Sequence, residues 1–506
     1  MSKLQSVLPL LFLTLPALAP AVHAAARNPA AAAASTETRP AAQLAACKVP
    51  GENGEIEARC GFFETWENRA ARSGRKLRLK VVVLPARDPH PRPDPVFFFG
   101  GGPGEAVAGE AGYTVADQER LRKDGQDRDY VFIDQRGTGE PDRLGCNLGG
   151  EAADLQTYLG EMFPVAAVRK CREELEKKYD LTLYTTDIAM DDIEDARVWL
   201  GYGKVNLSGG SYGTRAAQTF LRRHPQSVRA VILNGVVPMD ETLPISHAAG
   251  GQRSLDLLLG WCDKDPACHC AFPEVRKELQ TVLDRLAQAP AAVEIEHPVT
   301  RKKVAVKVSR DVIADGIRWQ LYTPENGAAL PRLIHEAVAG NLSPLAQAAV
   351  QSRVGLIEAL AMGMFFSVTC AEDIPFIDPG SIPARTAGSF LNDYRVRQQM
   401  GACTVWPKAK VPAGHQEAIH SDVPVLLING ERDPVTPPAF GDRAARFLSN
   451  SLHAVVPFGS HGGTTECVER LQREVLAKGA VKGIDTSCLA KIQMTSFEIE
   501  APKPAP

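Results

Sequence analysis

The chain has 506 residues, 44% of them hydrophobic, so it is long enough to bury a large core and to hold more than one domain. Its 57 basic and 60 acidic residues nearly balance and leave a formal net charge of −3. This balance argues against nucleic acid or an anionic membrane surface as a partner, and it favours a small molecule or a peptide.

The first 24 residues are predicted to be a secretory signal peptide. Lys3 precedes a short apolar run, and small residues end the segment at Ala24, near which cleavage is expected. The alternative, an uncleaved membrane anchor, needs a longer apolar run than this proline-interrupted one. Residues 25–46 are rich in alanine and lack large apolar side chains, which predicts a disordered linker. We therefore expect an exported protein with no membrane partner after cleavage.

Short apolar runs flanked by Gly, Pro and Asp recur through residues 47–242 and again through residues 422–506. Such runs are typical of strands that are buried on both faces of a mainly parallel sheet. Helical patterns lie between several of them, and this alternation predicts an α/β fold with a doubly wound sheet. One helical pattern spans residues 187–200, and its acidic residues 191–195 are predicted to form a solvated helix face.

The alternation stops over residues 243–421. Helix-like segments with proline-rich joints predominate there, and one strand-like pair, 293–295 and 303–308, interrupts them. We interpret this segment as a mostly helical cap inserted into the sheet-forming chain. The core is then built from two parts, residues 47–242 and residues 422–506.

Eleven cysteines are typical of a chain that folds in an oxidising compartment. Their local spacing favours five short-range disulfides and leaves one cysteine over. The predicted pairs are Cys47–Cys60, Cys146–Cys171, Cys262–Cys268, Cys370–Cys403 and Cys467–Cys488. Cys270 is an equally good partner for Cys262, so the connectivity there stays open. A zinc site at Cys262, Cys268, His269 and Cys270 is the competing interpretation, but this cluster lacks a C-x-x-C pair and a second group of ligands.

A serine lies among glycines directly after the apolar run 205–207. The stretch Gly209 to Gly213 reads G-G-S-Y-G and matches G-x-S-x-G, the nucleophile elbow, in which a sharp strand-to-helix turn exposes the serine. Side chains at the flanking glycines would collide with neighbouring elements. A simple tight turn explains the same five residues, so Ser211 is a convincing nucleophile only if a base and an acid occur elsewhere in the chain.

Asp433 and His461 are the predicted acid and base. Each follows an apolar run, residues 423–428 and 454–456 respectively, so each is expected in a loop just past a strand. The chain order of serine, acid and histidine is the one used by hydrolases with a G-x-S-x-G elbow. We therefore predict a triad of Ser211, Asp433 and His461, which needs no metal and no other cofactor.

A glycine-rich loop, residues 100–104, follows the apolar run 96–99. Glycines leave backbone amides unobstructed, as an oxyanion hole requires. One donor is predicted to be the amide of Gly101 or Gly102, and the other the amide of Tyr212. A phosphate-binding loop is the competing interpretation, but the Lys-Ser/Thr ending of a P-loop and the spacing of a dinucleotide-binding motif are missing.

Together these motifs resemble the α/β-hydrolase serine peptidases related to proline iminopeptidase, in particular the secreted tripeptidyl aminopeptidase-like branch. The family's H-G-G-P-G loop occurs here as G-G-G-P-G at 100–104, and its elbow occurs at 209–213. Its D-Q-R-G-x-G-x-S occurs as D-Q-R-G-T-G-E-P at 134–141, and its D-x-V-T-P occurs at 433–437. The resemblance implies an α/β-hydrolase fold with an inserted helical cap.

The resemblance extends from about residue 47 to residue 488, with two departures in its motifs. Gly100 replaces the family's histidine and Pro141 replaces its serine, and both changes leave the triad intact. The segments 369–373 and 403–407 are also similar to that branch. They favour a disulfide between Cys370 and Cys403.

The resemblance further implies cleavage of short peptides from a free N-terminus. Such an exopeptidase needs a carboxylate where the substrate ammonium arrives, because an unpaired buried cation is costly. Glu372 and Asp373 in the cap are candidates, and Glu105, just past the glycine loop, is a further one. The alternative for each is a solvated acid or a helix-capping group.

Two other functions use the same residues. A carboxylesterase or lipase is one, since a triad and an oxyanion hole do not separate esters from amides. A non-catalytic binding protein that kept the fold is the other, and the presence of all three triad residues argues against it.

Overall fold

The computed structural model describes residues 44–148, 155–298, 300–462 and 464–500. The predicted signal peptide, residues 1–24, and residues 25–43 of the predicted linker lie outside these ranges. The predicted end of the linker, residue 46, is wrong, because the first strand begins at Ala45 and pairs Ala45 with Cys60. Among the helices of the described ranges, none is both long and apolar enough to cross a lipid bilayer.

Eleven strands occur in the described residues, and nine of them form one sheet. In chain order the strands are β1 (Ala45–Gly51), β2 (Gly54–Trp66), β3 (Lys76–Leu84), β4 (Val96–Phe99), β5 (Tyr130–Ile133), β6 (Val205–Gly210), β7 (Val228–Asn234), β8 (Ala291–Glu296), β9 (Lys303–Val308), β10 (Val425–Gly430) and β11 (Ser451–Val456). The order across the large sheet is β1-β2-β3-β5-β4-β6-β7-β10-β11, and β8 and β9 form a separate antiparallel pair. All neighbours from β5 to β11 are parallel, while β1, β2, β3 and β5 pair antiparallel. The mainly parallel sheet confirms the predicted fold class.

Sixteen α-helices accompany these strands in the part of the chain that the structure describes. They are α1 (Val115–Lys123), α2 (Leu155–Tyr158), α3 (Val165–Glu176), α4 (Thr186–Trp199), α5 (Tyr212–Arg223), α6 (His247–Cys262), α7 (Pro266–Ala271), α8 (Val275–Gln288), α9 (Arg310–Gln320), α10 (Pro324–Val338), α11 (Ser343–Ala359), α12 (Met362–Glu372), α13 (Ile382–Thr386), α14 (Tyr394–Cys403), α15 (Pro438–Ala445) and α16 (Glu466–Lys478). Helices separate the parallel strands, as a doubly wound sheet requires.

Side chains of the central strands alternate between two hydrophobic cores, one on each face of the sheet. In β10, Val425 and Leu427 belong to one core, while Leu426 and Ile428 belong to the other. All four side chains are fully buried. A strand covered on both faces has no solvated side, which is why its sequence is continuously apolar rather than alternating.

The chain between β7 and β10 is mostly helical and is inserted into the sheet-forming chain. Its helices α6 to α11 and the β8–β9 pair share a hydrophobic core of their own with α2. Helices α12 and α14 instead pack into one of the two cores of the sheet. The insertion is therefore anchored to the sheet through its last helices.

The structure contains the same five disulfides that the cysteine spacing favours: Cys47–Cys60, Cys146–Cys171, Cys262–Cys268, Cys370–Cys403 and Cys467–Cys488. The connectivity left open at Cys262 is resolved, because Cys268 is its partner and Cys270 is free and exposed. A zinc site at this cluster is not formed, since two of its thiolate ligands are joined to each other.

The prediction of a solvated acidic face on α4 is wrong for Asp192, whose side chain is fully buried. Its carboxylate accepts hydrogen bonds from Arg136 Nε at 2.6 Å and from Arg69 Nη1 at 2.8 Å. Burying a carboxylate without partners would be costly, and these two guanidinium groups offset that cost. Asp192 therefore ties α4 to the loop after β5 and to the segment after β2.

Candidate active site

The sheet order reverses at β4, which lies between β5 and β6. In open α/β sheets, loops that leave such a switch point at the carboxyl ends of the strands form a binding crevice. The loop after β4 is the glycine-rich segment 100–104, and the turn after β6 contains Ser211. Two of the predicted site segments therefore leave the same edge of the sheet side by side.

Ser211 lies at the sharp turn between β6 and α5. Its backbone has φ 54° and ψ −121°, a region that residues other than glycine rarely adopt. A Cβ built on Gly209 would lie 2.3 Å from the Gly213 oxygen, and one built on Gly213 would lie 2.1 Å from the Phe99 oxygen. Both positions therefore require glycine, for the reason that the elbow motif predicts.

His461 and Asp433 are joined by a hydrogen bond of 2.8 Å between His461 Nδ1 and Asp433 Oδ2. Asp433 follows β10 and His461 follows β11, and these strands are parallel neighbours whose ends meet at one edge. Because a carboxylate only accepts hydrogen bonds, Nδ1 carries the proton and Nε2 is left as an acceptor. His461 and Ser211 line the same cavity.

Thr436 is a member of this cluster that sequence reasoning missed. Its hydroxyl donates to Asp433 Oδ2 at 2.6 Å and lies 3.1 Å from His461 Nδ1. The amides of Val435 and Thr436 donate to Asp433 Oδ1 at 2.8 and 2.7 Å. These bonds fix the orientation of a fully buried carboxylate. The D-x-V-T-P motif at 433–437 contains this threonine and is the signal that could have identified it.

The junction between α9 and α10 supports the two loops that carry Asp433 and His461. The His461 amide donates to the Tyr322 carbonyl at 3.1 Å, and the two rings pack edge to face with centroids 5.0 Å apart. The buried Arg432 guanidinium donates to the carbonyls of Leu321 and Thr323, both at 3.2 Å, and burial lowers the pKa of Arg432 to about 10. The insertion thus holds the histidine loop as well as covering the site.

The glycine loop after β4 lines the cavity with Gly101 and Gly102, and Tyr212 lines it beside Ser211. The Gly101 amide donates to Glu105 Oε2 at 2.5 Å. Since an amide has one hydrogen, Gly101 is not available to an oxyanion while Glu105 holds it. The structure therefore argues against Gly101, and Gly102 with Tyr212 stays the prediction for the donors. Sequence reasoning missed this because it did not foresee a side chain folding back onto the loop.

Glu372 does not line the cavity, so its prediction as an ammonium ligand is wrong. Its two carboxylate oxygens accept from the Thr186 amide at 2.6 Å and the Thr186 hydroxyl at 2.7 Å, and His415 Nε2 lies 3.7 Å away. Burial raises the pKa of Glu372. This carboxylate joins α12 to the start of α4, and neither oxygen is left for a substrate.

Asp373 and Glu105 do line the cavity. Asp373 Oδ1 accepts from Arg215 Nη1 at 2.8 Å and from the Leu243 amide at 2.9 Å, so Arg215 offsets its charge. Glu105 makes no ion pair with another described residue; its Oε2 accepts only the Gly101 amide among them. A Cβ built on Gly101 would lie 3.4 Å from Glu105 Oε2 and 3.5 Å from Ser211 Cβ, so the carboxylate oxygen lies less than about 7 Å from Ser211 Cβ.

The cavity has a volume of about 250 Å³ and lies between the sheet edge and the inserted helices. Apolar side chains such as Trp319, Leu356, Leu360 and Phe365 form much of its wall. Apolar walls with a few placed polar groups are typical of sites for small molecules, and a volume of this size suits a small ligand.

Two family models match the chain. One, described as alpha/beta hydrolase fold, matches residues 94–259 and so covers β4, β6 and Ser211. The other, described as TAP-like protein, matches residues 388–488 and so covers α14, Asp433 and His461.

The relatives include serine protease Hip1 of Mycobacterium tuberculosis, 25% identical over 319 residues that make up 56% of this chain and 57% of that protein. Proline iminopeptidase of Neisseria meningitidis is 28% identical over 162 residues, 31% of this chain and 38% of that protein. The chain thus spans about half the length of these curated relatives or less. The solved structure of proline iminopeptidase from Mycobacterium smegmatis is 16% identical, with a TM-score of 0.40 over 83% of this chain and 98% of that chain. The chain therefore has an α/β-hydrolase fold, and its residues 388–488 are similar to TAP-like proteins.

Proposed function

We propose that the chain is a serine exopeptidase that hydrolyses short peptides from a free N-terminus. The observation that carries the proposal is the Glu105 carboxylate, which lies beside Ser211 in the cavity that His461 also lines. A carboxylate in this position suits a substrate ammonium. The TAP-like match and the relatives named serine protease and proline iminopeptidase support a peptidase over other hydrolases.

In the proposed mechanism, Ser211 Oγ attacks the scissile carbonyl carbon while His461 Nε2 takes its proton. Asp433 holds the imidazole in the required tautomer and stabilises the imidazolium that forms. The oxyanion accepts from the amides of Tyr212 and Gly102. His461 then gives the proton to the leaving amine, and an acyl-enzyme on Ser211 remains. Water, deprotonated by His461, attacks the ester carbon; the bond to Ser211 Oγ breaks, and His461 returns the proton to that oxygen as the acid is released.

Glu105 gives a physical reason for preferring an unblocked N-terminus. A negative charge next to the oxyanion loop opposes the charge that develops on the substrate oxygen. A substrate ammonium bound to Glu105 offsets this repulsion, whereas an acetylated N-terminus does not. An interaction of this kind acts on the transition state, so it favours kcat/KM for unblocked peptides.

Replacing the nucleophile tests the catalytic assignment. In a Ser211→Ala variant we expect peptide hydrolysis to fall by a factor on the order of 10⁴ to 10⁶, because only binding and the oxyanion hole then contribute. Labelling by a fluorophosphonate should disappear as well. Ser208→Ala, on β6 and outside the cavity lining, is the matched control and should retain activity and labelling. A Ser211→Ala variant with full activity would contradict the assignment.

The substrate class is tested by comparing three sets of compounds on the wild-type protein. These are unblocked chromogenic peptides, their N-acetylated forms and short acyl esters. A higher kcat/KM for unblocked peptides supports the exopeptidase. Faster turnover of the esters, with no preference for an unblocked amine, identifies a carboxylesterase instead, and a wild-type protein that neither turns over nor labels is a binding protein.

Export is part of the proposal. Five disulfides in one chain support an oxidising compartment, because thiols in a reducing cytosol stay unpaired. Cell fractionation with the full-length chain is the test. The protein should appear outside the cytoplasm, shortened by about the length of the predicted signal peptide, and intact protein retained in the cytoplasm would contradict this.

A further inference from the structure

One side chain in the cavity wall has a buried charge that the described residues leave without an ion pair. Arg395, on α14, lines the cavity and is 9% exposed. Its Nε has no hydrogen-bond partner, and its Nη1 contacts the sulfur of Met162. Its guanidinium lies 5.0 Å from the ring centroid of Phe163 and 5.8 Å from that of Phe365. Aromatic faces and a thioether offset only part of the cost of burying a cation.

Two other guanidinium groups pair with Asp315, the carboxylate that attracts the charge of Arg395. Arg318 Nη2 lies 3.1 Å from Asp315 Oδ1, and Arg353 Nε lies 3.8 Å from Asp315 Oδ2. One carboxylate is therefore shared by two guanidinium groups, and Arg395 adds a third. Burial and the charge of Arg318 lower the pKa of Arg395 to about 10, so the group is still cationic at neutral pH.

The polar groups beside Arg395 also suit an anionic ligand. Gln399 lies one turn further along α14, on the same face, and its Oε1 has no partner. His247 Nδ1 across the cavity also has none. Burial and the nearby guanidinium groups hold the pKa of His247 well below its usual range, so it is neutral. Both neighbours are uncharged, and the Gln399 side chain has Nε2 hydrogens that it can donate to an anion when Oε1 is turned away from it.

The charges that line the cavity are otherwise paired among the described residues. Arg215 pairs with Asp373, Arg318 with Asp315, and His461 with Asp433. Among the charged side chains that line the cavity, the anionic Glu105 and the cationic Arg395 are left without an ion pair to a described residue. A ligand with an ammonium group and a carboxylate matches both.

We propose that Arg395 binds a carboxylate of the substrate, and that the preferred substrate is a short peptide with an anionic group. This inference rests on the proposed peptide hydrolysis and adds the class of peptide to it. The ammonium of such a peptide pairs with Glu105 and its carboxylate pairs with Arg395. That carboxylate is either the C-terminus of the peptide or an acidic side chain.

Two matched pairs of unblocked peptides test the proposal on the wild-type protein. One pair differs by a glutamate or a glutamine side chain, and the other by a free or an amidated C-terminus. We expect kcat/KM to be about tenfold to a hundredfold higher for the anionic member of at least one pair, since hydrogen bonds to charged groups are the stronger ones. The pair that shows the preference identifies the source of the carboxylate. Equal kcat/KM within both pairs would overturn the proposal.

Variants on α14 assign the preference to Arg395. Arg395→Met should lose the preference for the anionic peptide, and Arg395→Lys should keep part of it. Arg397→Met is the matched control, because Arg397 lies on the same helix but is exposed and pairs with Asp393. A folded Arg395→Met protein that keeps the full preference would contradict the assignment. Should both Arg395 variants unfold, the wild-type comparison still decides the proposal.

A second substrate set separates this inference from the proposed peptide hydrolysis. Activated esters of a dicarboxylic acid and of a neutral acid of the same length need the triad but no peptide bond. Preference for the dicarboxylic monoester, lost in Arg395→Met, supports the anion site even if peptides are not hydrolysed. Hydrolysis of unblocked peptides without any preference for an anionic group supports the peptidase and overturns the anion site.

Discussion

The Asp433 carboxylate has both of its oxygens occupied, two amides on Oδ1 and the Thr436 hydroxyl and His461 on Oδ2. A carboxylate held at four points cannot rotate, and so it orients the imidazole without further adjustment. Among the described residues, Thr436 makes the one side-chain hydrogen bond to Asp433 that does not come from the predicted triad. Its hydroxyl is a positioning group, because it is hydrogen-bonded to Asp433 and acts through Asp433 on the orientation of His461.

Removing the Thr436 hydroxyl should lower kcat. In Thr436→Val, His461 is the one described partner that Asp433 Oδ2 keeps, and a hydrogen bond to a charged group is worth about 1.5–3 kcal/mol. We therefore expect kcat to fall roughly tenfold to a hundredfold with little change in KM. Steady-state kinetics on an unblocked peptide provide the measurement, and Thr436→Ser, which keeps the hydroxyl, should retain most activity. Equal losses in the two variants would show that the methyl group, not the hydroxyl, matters.

At the scale of elements, α12 and α14 form one wall of the cavity and pack into a core of the sheet. Thr369, near the end of α12, lines the cavity together with Arg395 and Gln399 of α14. The disulfide Cys370–Cys403 joins the two helices and closes a separation of 33 residues. It therefore fixes the relative position of the side chains that we propose to contact substrate.

Removing this disulfide should lower both stability and substrate affinity. For Cys370→Ala with Cys403→Ala we expect a loss of about 2–5 kcal/mol in the free energy of unfolding, and a rise in KM that exceeds the fall in kcat. Urea unfolding and steady-state kinetics measure the two effects. The control removes Cys262–Cys268, whose separation is only 6 residues, and should cost less stability and leave KM unchanged. A larger loss of stability in the control would contradict the argument.

At the scale of the whole molecule, a buried carboxylate in the loop after β5 makes stability depend on pH. Burial raises the pKa of Asp134 to about 6 from its ordinary value of 3.8, although its Oδ1 accepts from the Ala108 amide at 2.8 Å. Between these two values the folded protein binds more protons at Asp134 than the unfolded chain does. The contribution of Asp134 to the free energy of unfolding therefore falls as pH rises from about 4 to about 6, and it stays constant above that range.

The variant Asp134→Asn isolates this effect. It removes the titration while keeping a side-chain acceptor for Ala108. The stability of the wild type relative to the variant should fall by up to about 3 kcal/mol between pH 4 and pH 6 and then level off. Urea unfolding of both proteins across pH 4 to 8 provides the measurement, since other titrating groups cancel in the difference. Two parallel stability curves would show that Asp134 does not titrate in this range.

Much of the fold could be predicted from the sequence because its determinants are local. The continuous apolar runs predict strands buried on both faces, and β10 is such a strand. The elbow glycines predict a tight turn at Ser211. The backbone of Ser211 has φ 54°, as such a turn requires. Cysteine spacing favoured the five pairs that the structure contains. Their chain order after the serine and their positions just past apolar runs predicted Asp433 and His461 as the pair that the structure joins by a hydrogen bond.

Only the tertiary structure decided which charged side chains face the cavity. Glu372 and Asp373 are neighbours in sequence, yet one bonds to Thr186 inside the protein and the other lines the cavity. Asp192 and Arg395 look like solvated charges on helices, but both are buried. The residue pattern of a helix or strand predicts which of its residues are apolar and how they are spaced. Whether a charged side chain at the end of that element faces solvent, the core or the cavity depends on the distant segments that pack against it. The candidate triad could therefore be predicted from the sequence, whereas the charges that we propose to select a substrate could not.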